Sequence, residues 1–282
     1  MKRSALLAFI VPLLLLASCK KDTAELDPLL KVQDLNGLKY GVHASQNIDM
    51  YLPENRSSST RVIIFVHGGS WFAGDKSDLT DLAKSFRDKG YATASINYRL
   101  THTAENNLHP AQIDDVESAI RYVQEKAQEW KVSPDLFSLA GVSAGGHLAL
   151  LYTYSRNQDN KIKTVISLAG PTDLLSLHNT SGQHAQVVQW FTGTTPAANA
   201  SIYQQSSPLS HLKESLKPTL LFHGKKDLVV PYQQSVSLKA KLDQINVKNK
   251  LVSFENLGHE LDPGLIPEFI SESENWLNEY LN

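Results

Sequence analysis

Cysteine is almost missing from this chain: Cys19 is the only one in 282 residues. A single thiol excludes an intramolecular disulfide framework and any Cys-rich zinc site, so stability has to come from a packed core. Neither HExxH nor GxxxxGK[ST] occurs, and no Cys/His cluster does. Metal and P-loop nucleotide chemistry are therefore not expected, and no cofactor is assigned. A surplus of one charge is lacking as well. The formal net charge is -2 and no basic run is present, which argues against a nucleic-acid partner and for a small substrate. No apolar run reaches bilayer-spanning length, and internal repeats and low-complexity tracts are absent. What remains is a chain of ordinary charge content, long enough for one sizeable core.

The N-terminus has the layout of a targeting segment. Lys2 and Arg3 precede an apolar stretch over residues 5–17 that ends in small residues. Leu16-Ala17-Ser18-Cys19 resembles the lipobox of bacterial lipoprotein signal peptides. That resemblance implies a signal peptide over residues 1–18, a lipidated tether over 19–37 and Cys19 as the diacylated anchor. It implies an exported, membrane-anchored lipoprotein, and Lys20 in place of Asp after the cysteine favours the outer membrane, on its periplasmic or outer face. An ordinary cleaved signal with an incidental cysteine is the other reading.

From there strand-like and helix-like patterns alternate. Lys39–Ala44 and Asn47–Leu52 are expected to form a short antiparallel pair, and Arg61–Val66 a buried strand. Leu79, Leu82, Ala83 and Phe86 share one helical face, closed by Gly90 at the expected C′ position. Tyr91–Tyr98 reads as strand, and Pro110 opens a helix carrying Ile113, Val116, Ile120 and Val123 at helical spacing. Asp114 and Asp115 fall in its first turn, where carboxylates suit the macrodipole. Strands follow over Leu136–Ala140, Thr164–Ala169, Thr219–His223 and Leu251–Phe254, with helices over 144–150, 232–245 and 265–281. This alternation predicts an α/β domain over 38–282: a mostly parallel sheet with helices on both faces. The weakly periodic stretch 173–211, with Trp190, Phe191 and Tyr203, is expected to be either a cover over the site or a helical excursion.

The chemistry-bearing motif is Gly141-Val142-Ser143-Ala144-Gly145, set between an apolar strand and a helix. A strand that turns sharply into a helix through G-x-S-x-G presents the central serine on a strained bend. A serine hydroxyl needs a base and an orienting carboxylate to act as a nucleophile. Asp227 follows the Thr219–His223 strand and His259 follows the last strand, so all three belong at strand C-terminal ends. Among ten histidines only His259 comes after the acid candidate. Asp173, also after a strand, is the competing acid, although a helix N-cap accounts for it. His67-Gly68-Gly69-Ser70-Trp71 can bring backbone N–H groups to an oxyanion, with the N–H of Ala144 as a second source. His67 itself reads as a loop residue, and Trp71 as either pocket wall or packing beneath the loop.

HGGSWFAGDKS (67–77), Asn97-Tyr98-Arg99-Leu100, PAQIDDV (110–116), GVSAGGHLAL (141–150) and HGKKDLVVP (223–231) together resemble the α/β-hydrolase superfamily, in particular its HGG-type esterases. These include hormone-sensitive-lipase-like, feruloyl and acetyl-xylan esterase-like, and kynurenine formamidase-like enzymes. The resemblance, over about residues 38–282, implies Ser143 as nucleophile, Asp227 as acid and His259 as base. The N–H groups of Gly69, Ser70 and Ala144 would form the oxyanion hole. Ser70 departs from the third glycine of the HGGG pattern but keeps the N–H. The expected activity is hydrolysis of carboxylic esters, with small acyl or aryl-acyl groups, carbohydrate-linked esters included. A formamidase or peptidase would use the same triad, and a retired, glycan-binding surface lipoprotein is the alternative outside enzymes.

Overall fold

Runs such as Val62-Ile-Ile-Phe-Val66 are apolar on both sides of the strand, which only a sheet covered on both faces can bury. The computed structural model describes residues 30–101, 105–260 and 262–282. Eight strands form one sheet: β1 (Gln33–Lys39), β2 (Asn47–Leu52), β3 (Val62–Val66), β4 (Ala92–Ile96), β5 (Phe137–Val142), β6 (Ile162–Leu168), β7 (Thr219–Gly224) and β8 (Asn249–Phe254). Their spatial order is β1-β2-β4-β3-β5-β6-β7-β8. β2 pairs antiparallel with β1 and β4, and β3 to β8 are mutually parallel.

The helices are α1 (Thr80–Arg87), α2 (Ala111–Trp130), α3 (Ala144–Ser155), α4 (Leu174–His178), α5 (Gly182–Thr192), α6 (Ala200–Gln205), α7 (Gln233–Gln244) and α8 (Ile266–Tyr280). Alternate β3 residues feed two cores. Val62, Ile64 and Val66 pack with the apolar stripes of α2, α3 and α7. Ile63 and Phe65 pack on the opposite face with Phe86 of α1 and Phe269, Trp276 and Leu277 of α8. The expected α/β-hydrolase architecture is therefore present. No helix among the described residues is long and apolar enough to cross a membrane.

Some local expectations need correction. The first strand is Gln33–Lys39, not Lys39–Ala44; residues 40–46 form the turn into β2, with Tyr40 N–H donating to Gln46 C=O. Part of the expected tether is thus paired in the sheet. Gly90 has the expected positive φ of 91° but lies two residues beyond the C-cap Asp88. Asp115 is not a dipole partner at a helix surface. It is fully buried, accepting from Arg99 Nη2 at 2.7 Å and Gln46 Nε2 at 2.6 Å, and so ties the NYRL segment to α2. The charge is tolerable there because the Arg99 guanidinium and backbone N–H and the Gln46 amide donate to it. The stretch 173–211 is helical (α4, α5, α6 and a 3-10 turn over Pro208–His211), and it also covers the C-terminal edge of the sheet. Cys19 and the signal segment lie outside the described residues.

This topology fixes the site. From β3 the chain moves outward to β4 on one side and, by way of α2, to β5 on the other. The loops after β3 and β5 therefore part at a switch point, where open α/β sheets leave a crevice.

Candidate active site

Ser143 stands between β5 and α3 with φ 52° and ψ −121°, a conformation side chains rarely adopt. Tertiary hydrogen bonds hold it there: Ser143 N–H donates to Leu168 C=O at 2.8 Å, and His147 N–H to Ser143 C=O at 2.9 Å. The bend needs a side-chain-free neighbour. A Cβ on Gly145 would lie 2.0 Å from Val66 O, so only glycine lets α3 start this close to the end of β3.

Asp227 and His259 arrive from β7 and β8, as neighbouring parallel strands allow. Their loops are stitched together by Lys225 N–H to Phe254 C=O at 2.9 Å and Lys226 N–H to Leu257 C=O at 3.0 Å. Gly224 makes the approach possible, since a Cβ there would meet Gly258 O at 2.3 Å. His259 Nε2 is then 2.9 Å from Ser143 Oγ, and His259 Nδ1 is 2.7 Å from Asp227 Oδ2. The other carboxylate oxygen, Oδ1, accepts the N–H groups of Val229 at 2.8 Å and Val230 at 2.9 Å. Burial alone would raise the Asp227 pKa. The N–H groups of His223, His259 and Val230 outweigh it and hold the carboxyl well below the usual carboxylate range. An ionised Asp227 accepts the hydrogen bond of His259 Nδ1–H, which leaves the Nε2 lone pair facing the Ser143 hydroxyl. That geometry can draw a proton from the serine as the oxygen attacks a carbonyl.

Ser70 and Ala144 line the same cavity as Ser143. Gly69 stands behind them with φ 102°, its carbonyl accepting the N–H groups of Phe72 at 3.1 Å and Ala73 at 2.9 Å. Ser70 (φ 51°) and Trp71 (φ 64°) continue this left-handed turn, so the loop keeps its course without a third glycine. The cavity, about 140 Å³, has an apolar wall of Trp71, Leu177, Val187, Leu228 and Val229. Trp71 both lines it and packs beneath the loop, stacked on Phe191 at 4.5 Å. His67 is buried and stacked on Tyr98 at 4.4 Å. Asp173 caps α4, accepting the Ser176 N–H at 3.0 Å, and is not joined to the Ser143–His259–Asp227 line. Among the described residues no group of His, Cys, Asp or Glu converges to hold a metal ion.

Two histidines that sequence patterns did not single out border the site. His184 of α5 reaches across the cavity to Val229 C=O at 2.9 Å, while Ser181 Oγ bonds its other ring nitrogen at 2.6 Å. Nothing in a helical pattern marks such a contact between segments distant in sequence. His147 is fully buried beneath Trp71. It accepts the Trp71 Nε1–H at 3.1 Å and donates from Nε2 to Ser206 C=O at 2.7 Å. Burial pushes its pKa from 6.5 down to about 3. The folded chain thus keeps His147 neutral while the unfolded chain protonates it, so stability is full above pH 6.5 and falls as pH drops toward about 3. The loss from this one group is up to about 1.4 kcal/mol per pH unit. Denaturant unfolding of wild type and His147→Gln between pH 6.5 and 4.5 should show a steeper decline in wild type by that amount; parallel curves would refute it.

Comparison with known proteins follows the same outline. The BD-FAE family model matches residues 48–242, a span that holds Ser143, Asp227 and the Gly68–Trp71 loop, with His259 beyond its end. Esterase LipQ of Mycobacterium tuberculosis is 27% identical over 220 residues, 73% of this chain and 52% of that protein. Isoprenylcysteine alpha-carbonyl methylesterase of Arabidopsis thaliana is 24% identical over 243 residues, 78% of this chain and 55% of that protein. The chain thus spans about half the length of these curated relatives. A truncated carbohydrate esterase from gut microbiota superposes with a TM-score of 0.78 at 24% identity, over 90% of this chain and 98% of that one, and so shares the fold. With more than half of its length matched by the family model, the chain belongs to the BD-FAE family of α/β hydrolases.

Proposed function

We propose that this protein hydrolyses carboxylic esters through an acyl-enzyme on Ser143. The hydrogen-bonded line from Ser143 Oγ through His259 to Asp227, at 2.9 and 2.7 Å, carries the reading. Ser143 Oγ attacks the ester carbonyl and His259 Nε2 takes the hydroxyl proton. The N–H groups of Gly69, Ser70 and Ala144 receive the oxyanion, each donor contributing about 3 kcal/mol in related sites. His259 returns the proton to the departing alkoxide, and water, deprotonated by the same ring, then releases the acid. Asp227 stabilises the transient imidazolium without itself being protonated.

The cavity favours short or single-ring acyl groups. About 140 Å³ with an apolar wall is close to the space that takes a benzene-sized guest in other proteins. Carbohydrate-linked acetyl or aryl-acyl esters are the substrate class this favours, and the fold likeness to a carbohydrate esterase supports it. The test is labelling with a fluorophosphonate, followed by a panel of graded acyl esters, feruloyl and acetyl-sugar esters and formyl amides. A Ser143 adduct is expected, with the short-acyl and feruloyl esters turned over fastest. A wild-type protein that resists the probe and turns over no ester overturns the proposal.

Export and anchoring belong to the same reading. Two acyl chains on Cys19 suffice for stable membrane attachment where one is marginal. Wild type should sediment with membranes, and Cys19→Ala should stay in the supernatant with its esterase activity intact. An unmodified Cys19 in the mature exported protein would exclude the anchor.

A further inference from the structure

The loop that supplies Asp227 is held from below by a second histidine. His223, the last residue but one of β7, is fully buried, yet its ring spends both nitrogens. Nδ1 bonds Ser235 Oγ of α7 at 2.7 Å. Nε2 bonds Val230 C=O at 2.8 Å and lies 3.2 Å from Asp227 Oδ2. A carbonyl acceptor at Nε2 requires the proton there, so Nδ1 is the acceptor and the Ser235 hydroxyl donates to it. The Nε2–H therefore points at the Val230 carbonyl with the carboxylate beside it. Asp227 Oδ2 faces two ring N–H groups, those of His223 and His259.

We infer that His223, set by Ser235, is a positioning residue: it pins the Asp227–Val230 turn and shares the Asp227 charge with His259. It touches no substrate. The pinned turn keeps Oδ1 on the Val229 and Val230 N–H groups and presents Oδ2 to the base. The shared charge has a second effect. A ring N–H dipole 3.2 Å from Oδ2 competes with His259 Nδ1–H for that oxygen, so the His259–Asp227 bond is looser than it would be unshared. Depression of the Asp227 pKa by the same neighbours is consistent with this balance. Among the described residues, two ionisable groups touch the His223 ring: Asp227, and Tyr232, edge-on at 5.6 Å with its hydroxyl bonded to Ser253. Lys225 nearby is paired with Glu255.

The inference rests on the proposed hydrolase, and its test separates the two. Fluorophosphonate inactivation of full-length wild type, His223→Leu, His223→Gln and Ser235→Ala is followed against pH, with the low-field His259 ring-proton resonance read by NMR. His223→Leu should label roughly tenfold more slowly or worse, the order of a lost buried hydrogen bond in the turn that carries Asp227. Its acidic limb should move up by about half a pH unit or more, with the resonance downfield, as Asp227 bonds His259 alone. His223→Gln, which restores a donor near the Nε2 position, should return both to wild-type values. Should His223→Leu fail to fold, Ser235→Ala decides: the limb moves the same way by a smaller amount. A limb and resonance unmoved in either variant, or His223→Gln as impaired as His223→Leu, overturns the inference. If wild type itself does not label, the hydrolase reading fails, and the resonance alone still decides whether His223 acts on the Asp227–His259 bond.

Discussion

Ser143→Ala is expected to lower turnover of the best ester by about four to six orders of magnitude while the protein stays folded, because the members of a triad act as a unit. The substitution removes the oxygen that bonds His259 Nε2 at 2.9 Å and leaves the elbow intact. Alanine at φ 52° is no more strained than serine, and the backbone bonds to Leu168 and His147 remain. Circular dichroism and the thermal midpoint should therefore match wild type. Fluorophosphonate labelling should vanish. A variant that keeps more than a tenth of wild-type kcat would remove Ser143 from the reaction.

The next largest loss, about four orders of magnitude in kcat near neutral pH, is expected for Asp227→Asn, by analogy with the triad acid of another serine hydrolase. The mechanism follows from which oxygen is already committed. Oδ1 receives the Val229 and Val230 N–H groups, so the amide oxygen of asparagine takes that place and its NH₂ turns to His259. His259 Nδ1 must then accept, the ring proton moves to Nε2, and the hydrogen faces Ser143 where a lone pair is needed. Asp173→Ala is the control. It removes the α4 cap and should reduce stability by about 1 kcal/mol, with kcat within a few-fold of wild type. If Asp173→Ala is the more damaging change, the acid has been misplaced.

Legibility differs between the parts of this site for physical reasons. Ser143 was readable because a strained strand-to-helix turn demands glycine locally, and local demands leave a local motif. Asp227 and His259 were readable only through chain order, since parallel strands deliver their following loops to one edge. His184 lies in no motif, and His147 and His223, although they fall inside the GVSAGGHLAL and HGKKDLVVP stretches, have contacts that those stretches do not reveal. Each gains its place from a partner far away in sequence or on another element: Val229 across the cavity, Trp71 above, and Ser235 with Val230 behind Asp227. The burial of Asp115 leaves no local signature for the same cause, because its partners Arg99 and Gln46 lie on different segments.

Short-range periodicity and turn chemistry suffice for the α/β alternation and the Ser143 elbow, and the chain order of Ser143, Asp227 and His259 follows once parallel strands are expected. The sequence by itself did not determine where the first strand begins, how the 173–211 stretch folds, or which face of α5 closes the cavity. Those features depend on what packs against them. β1 exists because β2 offers an edge, and α5 is oriented because Val188 and Phe191 are buried in the core while His184 reaches Val229. Tertiary structure alone could decide them, since a segment with weak periodicity takes its conformation from the surface it buries rather than from its own residues.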